Sequence, residues 1–181
     1  MKTQTERILN ILRIVAWIGY YGSLIAFGFG LILTFFSILE PNFLLKATLK
    51  IQGMDISLEK FREKYGFHAF FYASLFLINI FFILKIWELA KYALSIINLN
   101  QPFTFRISSI LEKIAYYMSS IWVLSLIGMA YGAYLENLIE HKTRINFSIE
   151  FPYLFAAGII YLISQIFKRG VEIQAENELT V

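Results

Sequence analysis

Four stretches of this chain contain no Asp, Glu, Lys or Arg: Ile14–Leu39, Tyr65–Leu84, Ile114–Leu135 and Phe151–Phe167, with 26, 20, 22 and 17 residues. A helix rises about 1.5 Å per residue, so roughly 20 apolar residues cross the ~30 Å hydrocarbon core of a bilayer. Inside lipid every peptide N–H and C=O needs a partner within the protein, and a helix supplies these partners locally. The runs therefore predict an all-α integral membrane protein, a four-transmembrane-helix bundle with spans at about 14–39, 65–84, 114–135 and 151–167. Nothing between the spans is long enough for a separate core, so residues 1–181 read as a single membrane domain.

The rest of the composition fits that reading. The chain is 58 % hydrophobic and 16 % charged, against roughly 45–50 % and 25 % for soluble domains. A water-soluble bundle would need polar helix faces, and these runs are apolar all round. Lys2, Arg7 and Arg13 precede the first run, as basic residues precede the apolar core of a signal peptide. The run is too long for such a core and has no small-x-small exit, so an uncleaved first span is expected. The net charge of +3 includes no dense basic stripe, and no direct nucleic-acid binding is expected. Cysteine is absent, which removes disulfides, thiolate metal sites and cysteine nucleophiles.

With both termini inside, the cytoplasmic segments hold nine Lys and Arg residues and the outer segments seven. The positive-inside rule thus favours N-in/C-in. Each helix is expected to outrun its apolar stretch. Thr3-x-x-Glu6 fits a capping box, which places the start of helix one near Gln4. Beyond Leu84, Lys85, Glu88, Lys91, Tyr92 and Ser95 share a stripe at helical spacing. Pro102 biases Gln101 away from the helical region. A new helix is expected at Thr104 or Phe105, with Ile107, Ile110, Leu111 and Ile114 on one face. In the outer loops, Thr48–Gln52, Asp55–Glu59 and Arg144–Glu150 alternate or carry strand-forming residues. They predict a small extracytoplasmic β element pairing loops 1 and 3.

The segment Gln165-Ile-Phe-Lys-Arg-Gly170-Val-Glu-Ile-Gln-Ala-Glu176-Asn177-Glu-Leu-Thr-Val181 and the turn Asn100-Gln-Pro102-Phe103 resemble the YoaS-like family of small bacterial four-span membrane proteins (DUF2975). The resemblance covers essentially the whole length. It implies the cytoplasmic (inner) membrane of a bacterium. It also implies a neighbouring helix-turn-helix regulator as partner. It supplies no activity, no cofactor and no catalytic residues.

Candidate sites follow from what the spans lack. Ionisable groups at mid-bilayer cost about 2.5–3.5 kcal/mol or more and usually mark function. Their absence from the four runs argues against proton-coupled transport and against an enzyme inside the membrane. Asn79, with Ser119 and Ser125 as answering groups, is the strongest intramembrane polar set, and interhelical hydrogen bonding is its simplest role. Gly22-x-x-x-Ala26-x-x-x-Gly30 and Gly128-x-x-x-Gly132 are small-residue rows that let backbones approach. Packing within the bundle accounts for them, and a homodimer face is the alternative. His68 and His141 lie 73 positions apart, without the short spacing of a metal site. Lys168 and Glu172 are spaced for a helical ion pair. A docking surface is expected from the turn residues Gln101, Pro102 and Phe103 and the tail residues Gly170, Glu172, Glu176 and Asn177 jointly, since both segments lie on the side of the termini in the N-in/C-in orientation. The function expected is a non-enzymatic sensor or regulatory partner of a cytoplasmic protein. A small oligomeric transporter or pore through Asn79, Ser119 and Ser125 is a second expectation. An immunity-type protein against membrane-active peptides is a third.

Overall fold

A computed structural model of the chain describes residues 4–39, 58–98, 103–138 and 151–178. The elements are four helices: α1 (Gln4–Leu39), α2 (Leu58–Ile96), α3 (Phe105–Leu138) and α4 (Phe151–Glu178). Three of them, α1, α3 and α4, are long and apolar enough to cross a membrane. No strand occurs among the described residues. Most of the expected β element, Thr48–Gln52 and Arg144–Glu150 included, lies outside them. Leu58 and Glu59, read as part of that element, instead open α2. Once a helix is nucleated, each added residue gains a hydrogen bond, so α2 extends backward through the charged 59–64 stretch.

The helix ends follow local chemistry. α1 begins at Gln4 with Glu6 in its first turn, where a carboxylate meets the positive end of the helix dipole. Thr104 caps α3. Its Oγ1 accepts the Ile107 N–H at 3.3 Å and its carbonyl accepts the Ser108 N–H at 3.1 Å, which satisfies donors that have no partner inside the helix. Pro152 sits in the first turn of α4, where its missing N–H costs nothing.

The chain packs as two compact units. The first contains the α1 stretch to residue 24, residues 82–120 and 151–181. Its centre is α3, whose Ile107, Ile110, Ile114 and Ala115 are buried, on the face that the isoleucine spacing predicts. α2 and α3 meet through the tilted Phe82 and Tyr117 rings, 5.6 Å between centroids. α3 and α4 meet through two serines. Ser108 Oγ donates to the Ser164 carbonyl at 2.9 Å, and both residues are buried. Ala115 and Ala157, each seven residues away in the antiparallel direction, are also buried.

The α1–α2 contact in this unit is antiparallel. Ala16, Gly19 and Ser23 form the inward stripe of α1, half-buried or buried. Gly19 lies directly against the Trp87 indole, and an added methyl would overlap the ring. One turn further along, the Lys91 ammonium sits 3.6 Å from the Tyr20 ring centroid and 4.5 Å from that of Trp17. Beyond it, Arg13 Nε donates to the Leu94 carbonyl at 2.8 Å. Leu94 lies in the last turn of α2, where carbonyls have no intrahelical donor, so Arg13 caps a neighbouring helix.

The second unit contains residues 25–81 and 121–150. Here Gly30 is buried against Leu77, and Phe27 meets Phe81 at 5.9 Å. Phe71 packs on Tyr131 at 4.6 Å. Ile121, Ser125, Gly128 and Gly132 form the buried side of α3.

The outer faces are apolar. Ile18 and Ile25 of α1 are 68 % and 72 % exposed, and Phe155 and Ile166 of α4 are 67 % and 64 % exposed. Water would penalise such continuous patches, whereas lipid chains accept them. As a packing row within the bundle, Gly22-x-x-x-Ala26-x-x-x-Gly30 is corrected by this arrangement: Gly22 and Ala26 face outward and Gly30 packs inward. Gly128 and Gly132 are both on the packed side.

Gly19→Ala is expected to lower stability by about 1–3 kcal/mol, because the rigid Trp87 ring must move. Gly22→Ala should change it by less than about 0.5 kcal/mol. Thermal unfolding of the two variants in detergent compares them directly.

Candidate docking surface

α3 and α4 both continue past their charge-free runs, and their polar ends come together. α4 carries eleven residues beyond Phe167, roughly 16 Å of helix. The turn residue Phe103 lies against this extension. Its ring would touch a Cβ built on Gly170 at 3.0 Å, and it meets Phe167 edge-on with centroids 5.1 Å apart. Gly170 is thus a seat for the ring. Edge-to-face pairs of this kind add about 0.5–1.5 kcal/mol beyond their buried area. The Thr104 cap fixes where α3 begins, and the Ser108–Ser164 hydrogen bond fixes its register on α4.

The visible face of this junction mixes charge with apolar side chains. Arg169 Nη1 donates to Glu172 at 2.8 Å, and both side chains are well exposed. Glu172 thus pairs three residues back, with Arg169, where the sequence spacing suggested Lys168. Such a solvated pair contributes at most about 1 kcal/mol. Lys168, Gln174 and Glu176 are exposed around it. Phe105 and Ile173 are exposed beyond the charge-free runs, at 58 % and 46 %.

Of the residues expected to dock a partner, the structure joins Phe103 with Gly170 and places Glu172 and Glu176 on the same helix end. Asn177 belongs to α4, and Gln101 and Pro102 lie outside the described residues. The intramembrane polar set is organised differently from expectation. Ser125 Oγ is buried and donates to the Trp122 carbonyl at 2.7 Å. Ser74 and Ser120 likewise donate to carbonyls of their own helices. These hydroxyls are satisfied three or four residues back. Asn79 and Ser119 are half-buried. His68 lies on α2 and His141 outside the described residues. Among the described residues, no group of three or more His, Cys, Asp or Glu could hold a metal ion.

Sequence reasoning missed the polar contact that joins two helices, Ser108 to Ser164. A signal was present: Ser108 shares the isoleucine face of α3, and Ser164 follows Ala157 by seven residues. It also missed Arg13, whose role depends on where the end of α2 falls.

Long apolar helices with lipid-compatible outer faces and polar ends define a helical membrane protein. A family model described as protein of unknown function (DUF2975) matches residues 46–181. The chain belongs to this family. No curated protein and no solved structure matches it.

Phe103→Ala is expected to cost about 1–2 kcal/mol, given the half-buried ring, and to loosen the end of α4. Hydrogen exchange of amides after Phe167 should rise in this variant, while amides near Ile121 stay as protected as before.

Proposed function

We propose that the chain is a non-enzymatic protein of the bacterial inner membrane that relays a membrane or envelope condition to a cytoplasmic partner. In this reading α2 is the fourth span, through its charge-free Tyr65–Leu84 run. The orientation is N-in/C-in, which puts the Phe103–Gly170 junction in the cytoplasm. The observation that carries the reading is the seating of Phe103 on Gly170. It joins the turn before α3 to the end of α4, so a shift between these helices in the bilayer alters a surface displayed outside it. Phe105 and Ile173 are exposed on these helix ends, as are Arg106, Lys168, Arg169 and Glu176, and apolar together with charged side chains are the material of a protein interface. The family resemblance makes a small helix-turn-helix regulator the partner of choice.

Affinity capture of the full-length protein from mild detergent should retrieve such a regulator, identified by mass spectrometry. Ending the chain after Arg169 removes Gly170, Glu172, Ile173 and Glu176, and retrieval should fall at least tenfold. Undiminished capture by the shortened chain would eliminate this surface as the dock. Topology reporters at Gly53, Asn100 and Val181 check the orientation, with Asn100 and Val181 expected inside.

A further inference from the structure

We infer that the α1–α2 seam around Arg13 and Lys91 is a binding site for the phosphate of an anionic lipid headgroup. Two ion pairs on other helix turns provide the contrast. Lys85 is held by Glu88 at 2.7 Å and Arg169 by Glu172 at 2.8 Å, so both cations are already neutralised locally. Arg13 and Lys91 are different. Among the described residues, neither forms an ion pair with a carboxylate. Arg13 uses Nε on the Leu94 carbonyl, which leaves the two Nη groups of its guanidinium to donate elsewhere. Lys91 is fixed by the faces of Tyr20 and Trp17. Ring faces attract the charge without consuming all three ammonium donors.

The two cations are brought to one place by the fold. Leu94 lies three residues after Lys91, one turn along the same side of α2. The bond from Arg13 to Leu94 therefore brings the guanidinium within about a helical turn of the ammonium. Both are only half-buried. Their level is also right: Arg13 immediately precedes the charge-free run of α1, and Lys91 follows that of α2. Headgroup phosphates lie at this boundary. Trp17 is stacked on Tyr21 at 5.4 Å, and both are about half exposed. They form an amphipathic platform of the type that sits among headgroups. A phosphodiester approaching along the seam meets a guanidinium fork, an ammonium and aromatic edges, with the nearby Glu88 already engaged by Lys85. This assignment requires only that the chain sits in a bilayer, and is independent of any cytoplasmic partner.

The test is native mass spectrometry of the full-length protein released from nanodiscs holding equal amounts of phosphatidylcholine and phosphatidylglycerol. The wild type should retain phosphatidylglycerol in preference to phosphatidylcholine, and added salt should weaken the preference. K91Q leaves the Arg13–Leu94 bond in place and should reduce the preference about fivefold, and R13Q/K91Q should abolish it. K85Q should leave it unchanged. Thermal unfolding in phosphatidylcholine alone establishes that each variant is folded. Equal retention of the two lipids by the wild type would overturn the assignment, as would full preference in folded K91Q. Saturation of the site by inorganic phosphate without phosphatidylglycerol would replace the lipid by the free ion.

Discussion

Within hydrocarbon an unpaired peptide group costs several kcal/mol, and no water is present to relieve it. That constraint accounts for long apolar helices such as α1, α3 and α4, and it moves the unsatisfied backbone groups to the helix ends. The ends are accordingly where this protein spends its polar side chains. Thr104 answers the first N–H groups of α3, and Arg13 answers a late carbonyl of α2 from another helix. The second arrangement has a consequence beyond satisfaction of one acceptor. It ties the start of α1 to the end of α2 and brings a cation to the boundary of the apolar zone.

Between the ends, lipid removes most of the hydrophobic reason for helices to associate, and close packing has to supply the attraction. Three contacts set a small residue opposite a large one: Gly19 against Trp87, Gly30 against Leu77, and Gly170 against Phe103. The α3–α4 seam uses Ser108 and Ser164 with a hydrogen bond added. Ser74, Ser120 and Ser125 return their hydroxyls to their own helices, and those hydroxyls are therefore satisfied there.

Much of this was legible before the structure. The charge-free runs located the helices, and the isoleucine spacing at 107, 110 and 114 identified the buried face of α3. The polar spacing after Leu84 anticipated the continuation of α2, and the restriction imposed by Pro102 anticipated the break before α3. The turn before α3 and the end of α4 were expected on one side of the molecule, but the seating of Phe103 on Gly170 came only from the packing. The packing row on α1 was not legible. That helix is apolar on every side, so periodicity carries no information about which side meets a neighbour. Small residues occur on more than one side of it. Gly22 and Ala26 look as suitable as Gly19 until the position of Trp87 is known. The strand reading failed at Leu58 and Glu59 because a short alternating pattern is weaker than the pull of an adjoining helix.

The sequence by itself determined that the chain is helical, lies in a membrane and keeps ionisable groups out of four apolar runs, because burial of charge and of unpaired backbone in lipid is costly whatever the packing. It also placed the polar stretches from which any exchange with water-soluble partners must come. Only the tertiary structure decided which glycines receive a ring and which serine crosses to another helix. It alone separated the paired cations, Lys85 and Arg169, from Arg13 and Lys91. Those outcomes depend on steric fit and on donor–acceptor distances between residues up to 81 positions apart, which no local pattern in the chain encodes.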